Sequence, residues 1–387
     1  MASSRAEQQL ILLSAGTAAR RRAMGERAGR LIAEVDWRRL AKTLRVRRLL
    51  PTLGPRVMEL SRGRSSDEFD AAVDEAISTG RRHGALLQLV SLRAIAMLAD
   101  AGIRSIALKG PLLGEAIYGD PGRRPSSDID LLVSPEHLQM AVEVIRELGY
   151  GPPTDYIDAS GLPLLHLMLL HDRHELPAVE LHWRVHWYEG SFAHERLLPP
   201  AEDPPDDWRP APADELLALL LFYARDGFID LRLASDLGAW WDAYGDGLPG
   251  GGLDELLCVY PALARVVPVA ARVAERVVGL PAARVIDATP KLGVRELMAV
   301  RLANPNPHSS RAQLYADMGL IDGLLTPRGG FGSFIRRQVL PPAEVRDQQA
   351  RHGGRPRARP PVRRAAGVLA RYGLTMTRLI RAPRTFG

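Results

Sequence analysis

The sequence predicts an α+β protein with a short strand-bearing core between two long helical regions. Three observations predict it. From residue 1 to about 104, and again from 214 to about 332, apolar side chains recur at helical spacing. Between those stretches the pattern switches to short apolar runs separated by Gly, Pro, Ser and Asp, which is the pattern of strands and tight turns. Finally, 46% hydrophobic and 25% charged residues over 387 positions suit a globular chain with a real core. That length corresponds to two or three units, or to one elaborated unit. The expected division is a helical region over 1–103, a core over 104–190, a second helical region over 191–335 and a basic tail over 336–387.

The elements follow in order. Asp36 is placed to cap a helix that starts near Trp37, carries Leu40, Leu44 and Leu49, and stops at Pro51. A second helix starts near Ser65 or Ser66. A third runs from about Gly84 to Ala101, with Leu87, Ile95 and Leu98 in its apolar stripe, and Gly102 ends it. The core opens with a short strand, Ser105 to Leu108, and a turn at Lys109, Gly110 and Pro111. Leu112 to Tyr118 form a short helix and Gly119 to Ser127 a loop. Asp128 to Val133 is the second strand. Ser134 caps the next helix, with Pro135 in its first position and Gly149 closing it. A hairpin then pairs Leu164 to Leu170 with Ala178 to Val185. Its second arm alternates, with Val179, Leu181, Trp183 and Val185 on one face and Glu180, His182, Arg184 and His186 on the other. Ser191 to Trp208 is Pro- and Asp-rich and reads as a linker. The second helical region starts at Asp214, with a loop at Gly245 to Gly252. In the tail, Gly353 to Pro361 is expected to be disordered and Arg363 to Arg381 to form a basic amphipathic helix.

Composition excludes several classes. One cysteine, Cys258, rules out a disulfide framework within the chain and a cysteine zinc site, and it fits a reducing cytoplasm. No stretch approaches the ~18 uninterrupted apolar residues of a membrane span, and the apolar run Leu10 to Leu13 is too short for a signal segment. There is no Gly-x-Ser-x-Gly elbow and no Gly-x-x-x-x-Gly-Lys-Ser/Thr loop, so serine hydrolases and P-loop NTPases drop out. The net charge of +6 permits phosphate-bearing partners. Only Lys42, Lys109 and Lys291 among the 51 basic residues are lysines, a bias of the kind a G+C-rich genome imposes.

The chemistry concentrates in the core. Asp128 and Asp130 are two apart on an apolar strand, so they share a face. Two carboxylates side by side repel each other and lose hydration near a core. A divalent cation relieves both problems, and Mg²⁺ prefers oxygen ligands, retained waters and substrate phosphates. Upstream, the glycine of the Lys109-Gly110 turn lets backbone N–H groups approach a phosphate, and Lys109 adds a point charge. Downstream, Glu180 belongs to a strand that should lie beside the aspartates. It is placed to complete a metal site or to serve as general base toward an acceptor hydroxyl.

The string from Ile106 through Lys109-Gly110, Tyr118-Gly119-Asp120 and Arg124 to Asp128-Ile-Asp-Leu-Leu-Val133, with the later Glu180-Leu-His-Trp183, resembles the uncharacterised bacterial nucleotidyltransferase family. That family lies within the DNA polymerase β-like superfamily. Asp36-Trp37 and Leu231 to Asp236 extend the likeness. The resemblance implies a small mixed sheet flanked by helices and a two-metal transfer of a nucleoside monophosphate from an NTP. Asp128 and Asp130 would ligate both Mg²⁺ (or Mn²⁺) ions, and Glu180 the catalytic one. Lys109 and Gly110 would hold the β- and γ-phosphates, with Arg124 and Ser127 touching phosphate or sugar. Two departures stand out. This chain has Gly110-Pro111 where the superfamily turn usually has Gly-Ser or Gly-Gly, which removes one N–H donor. It has Tyr223 or Arg225 where relatives often have histidine.

His171, His174, His182 and His186 surround the hairpin, but the four-residue spacing of the last two suits no simple tetrahedral zinc site. His182 is instead expected to support the carboxylates. Trp183, Trp187, Trp240 and Trp241 read as packing. The acceptor is open: a small molecule, a peptide or protein side chain, or an RNA end reached through the eleven arginines of residues 341–387. RNA binding would show strong salt dependence. A rival reading outside enzymes is a nucleotidyltransferase fold that binds nucleotide or RNA without turnover.

Overall fold

The computed structural model describes residues 4–154, 164–201, 208–287, 292–303 and 311–327, with residues 332, 336, 339, 340, 366 and 373. The expected tail segments, 353–361 and 363–381, lie almost wholly outside the described residues.

The N-terminal region is helical throughout: α1 (Arg5–Ser14), α2 (Ala18–Ala23), α3 (Gly25–Ile32), α4 (Trp37–Val46), α5 (Leu50–Ser61) and α6 (Asp67–Asp100). Asp36 caps α4 as expected, its carboxylate accepting from the Arg39 N–H at 3.0 Å. Pro51 does the opposite of what its sequence position predicts. The helix ends at Val46, the chain breaks through Arg48 at φ 54°, and Pro51 lies in the first turn of α5. A proline is tolerated there because its missing N–H would have no helical partner. The second and third expected helices are one 34-residue helix, α6, capped by Ser66.

The core runs β1 (Ser105–Ala107), α7 (Pro111–Tyr118), β2 (Asp128–Val133), α8 (Leu138–Glu147), β3 (His166–Leu169) and β4 (Ala178–His182). A 3₁₀ turn, Pro135–His137, precedes α8. The Ser134 hydroxyl bonds His137 Nδ1 at 3.0 Å rather than a backbone N–H, so the expected side-chain cap is not made. The four strands form one mixed sheet in the order β1-β2-β4-β3. β1 is antiparallel to β2, β2 is parallel to β4, and the predicted hairpin β3–β4 is antiparallel. This is an α+β architecture.

The second helical region comprises α9 (Pro212–Arg225), α10 (Leu231–Tyr244), α11 (Asp254–Val259), α12 (Val266–Val278), α13 (Ala282–Val285), α14 (Val294–Leu302) and α15 (Arg311–Leu325). The stretch read as a linker is partly built into the core: Ala193–Leu197 forms a π-turn, with Phe192, Ala193, Leu197 and Leu198 buried. No helix among the described residues is long and apolar enough to cross a membrane.

Strand alternation sorts β2 and β4 onto two faces. Ile129, Leu131, Val133, Val179 and Leu181 pack with Leu87, Ala94 and Leu98 of α6 and Ala141 and Ile145 of α8. Each of the isoleucine, leucine and valine side chains among them stabilises the fold by about 1.5–3 kcal/mol relative to exposure. On the opposite face, Phe222 of α9 meets the His182 ring edge-on and has its ring centre 4.4 Å from Lys109 Nζ, so α9 stands against the face that carries the carboxylates.

The loop entering β2 is seated on α6 by two glycines. A Cβ on Gly80 would lie 2.3 Å from the Gly122 carbonyl oxygen, and one on Gly122 would lie 2.5 Å from the Ile77 carbonyl oxygen. Only glycine permits backbone to touch backbone there. Arg81 of the same helix binds Asp120 in the loop, and Thr52 of α5 donates to the Arg123 carbonyl oxygen at 2.6 Å.

Candidate active site

Asp130 and Glu180 are direct partners in the parallel β2–β4 ladder, and Asp128 stands two residues before Asp130 on the same face. The three predicted carboxylates therefore share one surface of the sheet, facing α9. Asp130 is buried, whereas Asp128 and Glu180 are half-buried.

Their environments differ. Asp130 Oδ1 receives Lys109 Nζ at 3.2 Å and His182 Nε2 at 2.9 Å. Burial alone would push its carboxyl up, but Lys109 and His182 outweigh that and hold it well below the usual carboxylate range. Asp128 is compensated less. Burial first, then the charges of Asp130 and Glu180, raise its affinity for a proton, opposed by Lys109 and by the Ser126 hydroxyl that donates to its Oδ1 at 3.1 Å. At Glu180 burial is overcome by His182 and His166, and its carboxyl is lowered. His182 Nε2 stands 3.3 Å from Glu180 Oε2, and His166 Nε2 stands 3.6 Å from the same oxygen. Burial and the neighbouring His182 push His166 down to about 4.

Three carboxylates and one direct lysine contact leave negative charge that a divalent cation would balance. The oxygen donors fit such an ion, and the charges of Asp130 and Glu180 add to burial in raising Asp128.

The predicted phosphate residues divide. Lys109 points to Asp130, and its Nζ also lies 4.4 Å from the centre of the Phe222 ring. Gly110 adopts φ 95° and caps α7, and a Cβ there would meet nothing within 4 Å, so the turn is open. Pro111 occupies the first turn of α7, where the N–H it lacks would have no partner within the helix. Arg124 is drawn to the second helical region, its Nε 2.9 Å from Asp236 Oδ2 of α10, whose other oxygen accepts from Tyr118. Ser127 is exposed and lines a cavity of about 300 Å³ with Ser126, Arg45, Arg48 and His83.

Several site residues escape a reading of the sequence. His166 lies in the hairpin's first arm, a non-alternating His-Leu-Met-Leu run, and reaches Glu180 only through the β3–β4 pairing. Phe222 comes from an unbroken apolar helix whose facing partner no local pattern reveals, and Arg225, flagged in the sequence only as a departure from the family's histidine, lies on the same helix. Arg225 lies against the Phe222 ring at 4.9 Å, and its buried Nη1 has no hydrogen-bond partner among the described residues. His171 and His186 do not join His182 and take local partners instead. The His171 ring nitrogens are taken by the Leu148 carbonyl and the Arg173 N–H, and His186 Nδ1 accepts from the Tyr188 N–H. His182 supports the carboxylates, as expected.

A family model described as an uncharacterised nucleotidyltransferase matches residues 33–257, more than half of the chain. No curated protein and no solved structure matches it.

Proposed function

The chain belongs to the uncharacterised nucleotidyltransferase family and is a transferase; from that premise we propose that it moves a nucleoside monophosphate from an NTP to an acceptor hydroxyl in a metal-dependent reaction. The observation that carries this reading is the parallel pairing of Asp130 with Glu180, which brings three carboxylates to one sheet face beneath α9. A small mixed sheet with this carboxylate arrangement also supports a polymerase β-like core.

Asp128, Asp130 and Glu180 would hold Mg²⁺ or Mn²⁺. A bound divalent ion would polarise the α-phosphate and neutralise charge on the leaving pyrophosphate. The chain's own groups do the rest. Lys109 supplies a point charge to the β- and γ-phosphates, and Gly110 opens its turn to them. Arg225, with Nη1 unpartnered among the described residues, provides a second phosphate contact from α9. Arg124, anchored by Asp236, and Ser127 border the path to the sugar. The acceptor oxygen bonds to the α-phosphorus as the bond to the β-phosphate oxygen breaks. The acceptor proton leaves through the carboxylate cluster, with Glu180 as its base. The cavity of Arg45, Arg48, His83, Ser126 and Ser127 adjoins Asp128 through Ser126 and is the place for the acceptor.

The test is pyrophosphate release with each of the four NTPs and Mg²⁺ or Mn²⁺, with cell extract supplying acceptors and the Asp128→Ala/Asp130→Ala double variant as control. Metal-dependent release that disappears in the double variant is expected. Absence of release with every NTP in extract from the native host would replace transfer with nucleotide binding alone.

A further inference from the structure

The carboxylate face holds something that an oxygen-only site does not need: two imidazoles in contact with the same carboxylate, Glu180. His166, Glu180 and His182 each offer a ligand atom, all within 4.8 Å of one another. His182 Nε2 is 2.9 Å from Asp130 Oδ1 and 3.3 Å from Glu180 Oε2, and His166 Nε2 is 3.6 Å from that same Glu180 oxygen. Donors sharing one cation through bonds of about 2.1 Å stand about 3.0 Å apart at right angles and about 3.4 Å apart at the tetrahedral angle. These three spacings lie close to those values, and the remaining separations within the His166–Glu180–His182 set are at most 4.8 Å, so a bound ion would draw the set slightly inward. Lys109 Nζ approaches the same Asp130 oxygen at 3.2 Å, which marks it as a point where positive charge settles.

The donors are also held in place. His166 and His182 stand opposite each other across the antiparallel β3–β4 pair, with ring centroids 4.8 Å apart. His182 is fully buried, and the Phe222 ring meets it edge-on. A surface histidine would lose rotamer freedom on binding a metal, whereas this one is already ordered.

We propose that the Asp130–Glu180 side of the site is a mixed imidazole–carboxylate cation site, with His166 and His182 as nitrogen ligands, and that it selects a borderline transition cation over Mg²⁺. Imidazole suits Zn²⁺, Fe²⁺ and Co²⁺, carboxylate suits Mg²⁺ and Mn²⁺, and a site with both favours the transition ions. Asp128, outside the imidazole set, remains an oxygen ligand for a Mg²⁺ that arrives with the nucleotide. The inference rests on the metal-dependent reading of these carboxylates but not on the transfer reaction.

It is tested on the full chain, stripped with a chelator and free of nucleotide. Wild-type protein loaded with Mn²⁺ is expected to show nitrogen coupling in the pulsed EPR spectrum of the bound ion, and Co²⁺ is expected to stay bound in excess Mg²⁺. His166→Ala should weaken Co²⁺ binding by about 10- to 100-fold, with an unchanged far-UV circular dichroism spectrum and little change in Mg²⁺ binding. Mn²⁺ bound without nitrogen coupling, or Co²⁺ displaced by equimolar Mg²⁺, would overturn the proposal. The two readings fail separately. Imidazole-dependent Co²⁺ binding without pyrophosphate release with any NTP would keep this site and remove the transfer reaction. Pyrophosphate release with Co²⁺ binding indifferent to His166→Ala would do the reverse.

Discussion

The two faces of β2 are buried almost alike and stabilised in opposite ways. Ile129 is 3% exposed and Asp130 6% exposed, yet one packs in an apolar cluster while the other is held between an ammonium and an imidazole. Burial therefore says nothing by itself about which face is functional. The apolar face is sealed by α6 and α8 and derives its stability from area removed from water. The charged face is covered by α9, and its stability depends on compensation between groups. Substitutions on the first should cost stability, and substitutions on the second should cost activity.

The largest effect is expected at Asp130→Asn. Pyrophosphate release should fall on the order of 10³-fold, the scale of losing a preorganised charge contact, with a melting temperature shifted by a few degrees at most. A variant that melts far below wild type would mean that Asp130 is structural, and the contrast between faces would fail. Leu131→Ala is the mirror experiment. It should lower unfolding free energy by about 2–5 kcal/mol in urea titration, while the fraction still folded keeps its specific activity.

Lys109→Met sharpens the charged half. In the wild type, Lys109 and His182 together pull the Asp130 carboxyl well below the usual range against its burial. Without Lys109 that carboxyl moves upward, so the variant should lose activity at a higher pH than wild type as the medium is acidified. The pH profile of kcat/KM checks this; an acid limb that does not move would show that Lys109 does not set the state of Asp130.

These contrasts also explain what was legible in the sequence. The Asp128–Val133 strand, its two faces and the β3–β4 hairpin could be read because alternation is local. Glu180 could be read because it alternates with Val179 and Leu181 on the same strand. What escaped depends on distant partners or on the sense of a local signal. Arg124 reads as a nucleotide contact beside the aspartates; that its Nε is held by Asp236, 112 residues away, is not visible in any local pattern. His166 has no pattern of its own and acquires a role only through strand pairing. Pro51 is a breaker at either end of a helix, and the sequence does not say which end it marks. Gly84 similarly failed to begin a new helix, because the continuous α6 uses its glycines to approach neighbours rather than to end.

The smallest effect concerns how the charged face is positioned. Gly80→Ala places a methyl group 2.3 Å from the Gly122 carbonyl oxygen. Relief of that clash should cost about 1–3 kcal/mol and displace the loop ahead of Asp128. Thermal melts should show the loss, and kcat/KM should fall far less than in Asp130→Asn. A stability equal to wild type would show that α6 does not set the loop.

The most direct test of the central claim follows the phosphorus. The protein is incubated with metal ion and native extract, once with NTP labelled at the α-phosphate and once with NTP labelled at the γ-phosphate. Nucleotidyl transfer predicts that the α label enters the acceptor and the γ label leaves in pyrophosphate, with both events abolished in Asp128→Ala/Asp130→Ala. Acceptor carrying the γ label instead would contradict the account, because the carboxylate face would then be serving a phosphotransferase.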